Sequence, residues 1–370
     1  MTLIDAAKTL AVGVGFGFVL EKCKVYLPTV ITNQLLMSDF TMMQMFLTAT
    51  AGGIIVMSAL EHAGLFKRPP KTSLTVGLGT LNGFGGNVLG GAIMGTGMAL
   101  SGACPGTVIV QLGAGLQSAR YVAAGGLVAA VLFGYTHRFI QNFLPKFGSK
   151  TQVATVDQRL KVPYGLFGIG AASALLAAVY VLGQVTDSRS AVLAIFKDAP
   201  ARFSSLLTLR GFDHPTLQSF AWTPVVGGLA LTAVQAGSIL LRDAPLGAST
   251  AYAEIGAQIV SRVDANWKKN APLYQSHIEL DSTYLAVGVL TGSALSLWLA
   301  GASELPPLLP AAVSPIQAIV GGFLLVTGAR LANGCTSGHG ISGMAQFSVP
   351  SFATIASMFA GGIATAFLVY

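Results

Sequence analysis

Charge is scarce in this chain: Asp, Glu, Lys and Arg make up 9% of its residues, against 53% hydrophobic. A soluble domain needs a charged surface of roughly a quarter of its residues. Here the apolar runs are broken by glycine instead, which argues against a soluble helical core. Cysteine is scarcer still, with 3 in 370 residues. Three thiols cannot all pair, none shares a C-x-x-C spacing and none lies in a polar loop. That excludes a secreted disulfide framework, argues against a structural zinc site, and leaves the thiols free inside the membrane. The first apolar segment lacks a basic start and a small-residue cleavage site and ends in Glu21, Lys22 and Lys24, so it is expected to be retained. There is no cofactor fingerprint and no nucleic-acid motif; the net charge of +7 falls in loops, where it orients a membrane protein.

What the chain does have is a series of apolar runs of membrane-crossing length, about 20 residues each. They fall at 8–22, 41–62, 75–103, 119–142, 162–184, 222–241, 281–301, 316–333 and 350–370. An all-α polytopic membrane protein follows. Basic loops are the cytoplasmic candidates: Lys67, Arg68 and Lys71, then Arg138, Lys146, Lys150, Arg159 and Lys161, then Arg242, Arg262, Lys268 and Lys269. The loop at 302–315 carries Glu304 and no basic residue, so it is assigned outside. Residues 185–221 mix Phe196, Phe203, Leu206 and Leu207 with Lys197, Arg202 and Arg210, the pattern of an amphipathic helix in the outer interface. Residues 243–280 read as the longest polar stretch, with a small-residue run at 245–252 able to start a helix.

Two of the cysteines sit in near-copies of one glycine-rich signature. Gly90, Gly91, Thr96, Gly97, Leu100 and Cys104 fall in ungapped register with Gly321, Gly322, Thr327, Gly328, Leu331 and Cys335. Five crossings separate the starts of the copies, so 75–103 and 316–333 are expected to run in opposite directions. The expected architecture is an inverted-repeat helical bundle, with one half in 1–150 and the other in 151–370, forming a single membrane domain. Transport folds of this kind hold their site at the midplane between discontinuous helices, and the two cysteine loops, the first of them re-entrant, are the candidate breaks.

Around Cys104, Gly102 and Gly106 give permissive backbone and Pro105 suits the first turn of a helix. Around Cys335, Gly334 is permissive and Thr336 and Ser337 are capping types. Both cysteines are therefore expected at helix N-termini, where unpaired N–H groups favour an anion. A small buried hydrophobe is the competing reading for each thiol. Arg330, at the end of a span, can attract a dianion, snorkel to the cytoplasmic face or pair with an acid. His339 can donate to an anion or hold its loop. Glu21 is expected to be neutralised by Lys22, Lys24 or a helix end. Asn33, Asn82 and Asn87 are expected to make helix–helix hydrogen bonds, and Glu61-His62 and His137-Arg138 to be solvated at membrane edges.

At these residues the chain resembles the YeeE/YedE family of sulphur-transport membrane proteins. Members carry a G-A-C-P-G-like loop, an N-G-C-T-S-G-H-G-like loop and a further cysteine near the end of the first segment, places held here by Cys104, Cys335 and Cys23. The likeness extends through Gly15-Phe16-Gly17-Phe18, Leu20-Glu21 and Pro245-Leu246-Gly247, covering essentially the whole chain. It departs from a generic member in extra length around 187–215 and 253–280. The resemblance implies an hourglass-like fold with pseudo-two-fold symmetry, and uptake of thiosulfate relayed by S–H···S contacts from Cys23 through Cys335 or Cys104. It leaves room for a soluble sulfur-carrier protein at the inner face. Plasma (inner) membrane is the default location.

Soft thiols suit a soft sulfur, whereas a hard oxyanion such as sulfate is more often held by arginine forks. Other sulfur or selenium species remain alternatives, as does a membrane thiol-redox protein, which the missing C-x-x-C pair disfavours. A scaffold with inert cysteines is the third class.

Overall fold

The computed structural model describes residues 2–68, 84–143, 155–187, 216–301 and 313–370. The expected amphipathic helix at 185–221 lies mostly outside these residues. So do Asn82, Lys71, Lys146, Lys150 and Glu304, the first part of the 75–103 span, and the side chain of Arg138.

The chain forms α1 (Leu3–Lys22), α2 (Pro28–Leu35), α3 (Thr41–His62), α4 (Gly85–Ser101), α5 (Pro105–Gly113), α6 (Gln117–Phe143), α7 (Val156–Leu160) and α8 (Tyr164–Val185). After these come α9 (Pro224–Arg242), α10 (Thr250–Val263), α11 (Trp267–Asn270), a 3-10 turn (Pro272–His277), α12 (Asp281–Leu299), α13 (Pro315–Leu331), a π-helical turn (Ser337–Gly343) and α14 (Val349–Val369). No strand occurs among the described residues. Among them 8 segments are long and apolar enough to cross a membrane, with α4 and α5 counted as one, and α13 is a shorter apolar helix. This is an all-α polytopic membrane protein.

Glycine sets how the helices approach. A Cβ on Gly90 would stand 2.5 Å from the backbone N of Ala332 and 2.7 Å from the Gly328 carbonyl oxygen; one on Gly97 would meet Leu325 N at 2.4 Å and Gly321 O at 2.7 Å. Residues rising along α4 thus meet residues falling along α13, so the two helices pack antiparallel with backbones nearly touching, the small-residue mode of membrane helices. Four other long pairs run parallel, whereas α8 packs antiparallel on α3 and α9 antiparallel on α1. In α1 and α12, Gly288 meets Leu10 and Gly292 meets Val14; in α3 and α9, Gly228 meets Thr48 and Gly52 meets Thr232. In α4 and α14, Gly91 meets Thr354 and Gly95 meets Met358, while in α6 and α13 Gly322 meets Val122 and Gly126 meets Val326.

One expectation is met and one corrected. The small-residue run at 245–252 does start a helix, α10 (Thr250–Val263), which buries Ala251, Tyr252, Ala253, Glu254, Gly256, Ala257 and Val260. Its glutamate accepts hydrogen bonds from the backbone N–H groups of Ser282 (3.0 Å) and Thr283 (2.7 Å) at the start of α12, which is how a carboxylate is accommodated there. His137 is likewise buried, 5.7 Å from the Phe133 ring, not solvated. Glu61, beside it in the sequence expectation, pairs with Arg68 at 2.7 Å.

Candidate functional site

Each cysteine loop begins with a residue in the left-handed region two positions before its thiol: Gly102 at φ 58° and Asn333 at φ 57°. That turn ends the preceding helix and reorients the chain. Cys104 then caps α5. Its sulfur accepts from the Thr107 N–H at 3.4 Å while its own N–H donates to Thr107 Oγ1 at 2.7 Å, a capping box with sulfur in the place of a hydroxyl. The S–H hydrogen remains available to a further acceptor. Pro105 takes the first helical position, as its fixed φ suits. Its carbonyl accepts from Tyr252 Oη at 3.3 Å, and Gly106 faces Ala248, so the first cysteine loop is seated on residues 248–252 of the second half.

Cys335 also stands at a helix start, since its carbonyl accepts from the His339 N–H at 2.8 Å, before a turn that widens into a π-helix. π-turns inside helices are frequent at functional sites. The Cys335 sulfur lies 3.2 Å from Ser337 Oγ, and the backbone N–H groups of Gly338 and Ala248 and the Ser249 hydroxyl are also turned on it. The guanidinium of Arg330 is buried and donates to Ser249 Oγ at 3.3 Å, leaving its Nε without a partner. Arg330, Ser249 and Cys335 therefore form a continuous polar chain. Cys104 and Cys335 lie within electrostatic reach of each other, and Tyr252 within reach of both.

Thr336 turns the other way, its hydroxyl directed at the sulfurs of Met98 (3.7 Å) and Met358 (3.6 Å). His339 has both ring nitrogens engaged, Nε2–H donating to the Ala332 carbonyl at 3.0 Å and Nδ1 at 2.9 Å from Ser351 Oγ. Gly334 makes room for that ring, because a Cβ there would be 2.7 Å from Nε2.

Cys23 has a different setting. It ends α1 with its sulfur packed against Gly227 of α9, close to Met45. Around it the charges are buried and satisfied: Glu21 pairs with Lys24 and accepts from Ser296 Oγ, while Lys22 Nζ donates to the carbonyls of Ser219 (2.7 Å) and Ser296 (3.1 Å). The expected neutralisation of Glu21 is met. Gln111 of α5 donates to the carbonyls of Tyr26 (2.7 Å) and Gly102 (3.0 Å), tying the segment after Cys23 to the loop before Cys104. All three cysteines are free and buried. Asn87 makes the expected interhelical bonds, to the Ala332 carbonyl at 3.1 Å and Thr354 Oγ1 at 2.9 Å.

Sequence reasoning missed Ala248, Ser249 and Tyr252 as site residues. The available signal was the small-residue run at 245–252, which begins Pro-Leu-Gly-Ala-Ser.

The family model described as Sulphur transport matches residues 22–364, which includes all three thiols. The chain belongs to this family. It is a multi-pass membrane transporter, not an enzyme. Over 355 residues it is 26% identical to the thiosulfate transporter TsuA of Spirochaeta thermophila, covering 95% of this chain and 94% of that one. A probable transporter of Xylella fastidiosa strain Temecula1 is 31% identical over 147 residues, which are 39% of this chain and 92% of the relative. A second probable transporter, from Xylella fastidiosa strain 9a5c, is 48% identical over 48 residues, 13% of this chain and 36% of the relative.

Proposed function

We propose that this protein imports thiosulfate along a central path and that its cysteine thiols relay the ion. The observation that carries the reading is the chain from Arg330 through Ser249 to Cys335, with Cys104 facing it across residues 248–252. Thiosulfate is a dianion with a soft terminal sulfur and a sulfonate end. An S–H donor suits the first, and the Ala248 and Gly338 N–H groups, the Ser249 hydroxyl and the Arg330 guanidinium suit the second. Each contact is weak enough for the ion to leave, as conduction requires. Gly102, Pro105, Gly106, Gly334, Thr336 and Ser337 shape the two loops, and His339 positions the second. The substrate named for the Spirochaeta relative agrees with this chemistry.

The path is read as lying between two inverted halves, 1–150 and 151–370. In support, the contacts of Gly90 and Gly97 reappear at Gly321 and Gly328 with the partners exchanged. A relative whose length is nine-tenths covered by 39% of this chain is also about the size of one half. With the basic loops inside, Cys23 stands on the outer side and receives the ion first. Delivery to a soluble sulfur-carrier protein, and a plasma-membrane location, complete the reading.

The test is uptake of radiolabelled thiosulfate into proteoliposomes by this protein and by Cys335→Ala, with sulfate as competitor and empty vesicles as blank. Uptake lost in the variant and indifferent to sulfate supports the relay. No uptake above empty vesicles overturns it.

A further inference from the structure

Beyond the thiols, three buried glutamine amides lack partners, Gln34 in α2 and two further along the chain. Gln235, in the middle of α9, and Gln346, just after the π-turn, are both buried, and neither their Nε2 nor their Oε1 has a hydrogen-bond partner. Burying an amide without partners is costly, and native structures keep few such groups. Gln235 lies beside the residue that precedes Gln346 in the chain. The Cβ that Gly53 of α3 lacks would stand 3.2 Å from Gln235 Oε1, 3.3 Å from its Nε2 and 3.3 Å from the Cβ of Ala345, the neighbour of Gln346. Gly53 thus holds open the space into which the Gln235 amide projects. Three residues earlier on the same helix, Thr50 Oγ1 donates to the Gly340 carbonyl at 3.0 Å, fastening this face of α3 to the π-turn.

The junction is continuous with Cys335. The Gln346 N–H donates to the Ser342 carbonyl at 3.2 Å, and Ser342 Oγ donates to the Leu246 carbonyl at 2.9 Å. Leu246 belongs to the segment whose Ala248 and Ser249 address the thiol. Along α9, Gln235 also lies two turns beyond Gly227, where Cys23 packs, in the direction of Arg242.

We propose that Gln235 and Gln346 form a second, thiol-free station, where the oxygens of the anion are hydrogen-bonded after it leaves Cys335 on the inward route. This rests on the thiosulfate reading above. A neutral amide donates to a sulfonate oxygen without the grip of a guanidinium, so the station holds the ion briefly. The free amide oxygens keep water or the substrate's own hydration shell in place.

The experiment compares full-length wild type, Gln235→Leu, Gln235→Met, Gln346→Leu and Cys335→Ala, each purified, melted in detergent and assayed for thiosulfate uptake in proteoliposomes. Replacing an unpaired buried amide with an apolar group of similar shape is neutral or stabilising. The glutamine variants are therefore expected to melt at or above the wild-type temperature while uptake falls about tenfold, the effect of losing one hydrogen bond to a charged group. Wild-type uptake in all three glutamine variants beside an inactive Cys335→Ala overturns the amide station and leaves the thiol relay standing. A lowered melting temperature with unchanged uptake also overturns it, marking the amides as structural groups satisfied by water. Full uptake by Cys335→Ala would instead count against the thiol relay itself.

Discussion

His339 reaches back across the loop that carries Cys335 and donates from Nε2 to the carbonyl of Ala332 at 3.0 Å, so the loop is closed upon the end of α13. Its other ring nitrogen meets Ser351 at the start of α14. One imidazole thus fixes Cys335 relative to the two helices that flank it. Both ring nitrogens are thereby engaged, the geometry of a side chain that holds its loop.

His339→Ala is expected to cost about 1–3 kcal/mol of stability, because it strands the buried Ser351 hydroxyl and leaves the Ala332 carbonyl with Asn87 alone, and to lower uptake with it. Gly334→Ala should mimic it, since the added methyl would sit 2.7 Å from Nε2. Thermal unfolding and proteoliposome uptake of both variants check this. Normal melting with lost uptake in His339→Ala would mean that the ring serves the ion directly.

Cys23 is testable without touching the thiol. A Cβ on Gly227 would stand 1.8 Å from the Cys23 sulfur, whereas one on Gly237 of the same helix meets nothing within 4 Å. Gly227→Ala is therefore expected to reduce thiosulfate uptake as far as Cys23→Ser does, with Gly237→Ala at wild-type level. Equal uptake by all three variants would remove Cys23 from the path.

Much of this was legible in the sequence because long apolar runs have one solution in a membrane. The spans at 41–62 and 281–301 became Thr41–His62 and Asp281–Leu299, and Gly102-Ala103-Cys104 and Asn333-Gly334-Cys335 announced the two helix breaks. The start of α10 was legible in the small-residue run at 245–252, but its burial was hidden for a physical reason. The helix is too short to cross, and Glu254 and Gln258 make it look solvated, yet both spend their polar atoms on backbone groups of neighbouring segments. With its burial unseen, Tyr252 and the preceding Ser249 had no address, although they join the two cysteine loops. The π-turn was equally silent, because its widening depends on packing against α3 and α14, not on composition. His137 was misjudged because two neighbouring polar residues suggest an edge, and only the packing of Phe133 shows the ring turned inward.

His277 gives the protein an acid-sensitive joint. It lies in the 3-10 turn before α12, with Nδ1 3.0 Å from the Leu273 carbonyl. Burial, helped by the positive charges of Arg330 and His137, holds its pKa below the ordinary 6.5. The unfolded chain binds the proton more readily than the folded one, so stability is complete above the unfolded pKa and falls as the pH drops from about 6.5 through the lower folded value. The melting temperature of wild type should decline between about pH 7 and pH 5, and His277→Gln should flatten that decline. An unchanged slope in the variant would assign the acid sensitivity elsewhere.

The antiparallel glycine seam makes the sharpest test of the internal symmetry. A Cβ on Gly97 would stand 2.4 Å from Leu325 N, and one on Gly328 2.4 Å from Met94 N, with Leu325 and Met94 at matching places in the two sequence copies. If the halves are related by a two-fold axis, the two sites are the same site seen from opposite sides of the membrane. Gly97→Ala and Gly328→Ala should then destabilise equally, by about 1–3 kcal/mol, the usual cost of overpacking. The double variant should lose less than their sum, because one parting of α4 from α13 accommodates both methyl groups and neighbouring sites rarely add. Melting curves of the two single variants decide it. A difference well beyond 1 kcal/mol between them would show that the seam is tight on one side only, and that the repeat in the sequence does not extend to the packing.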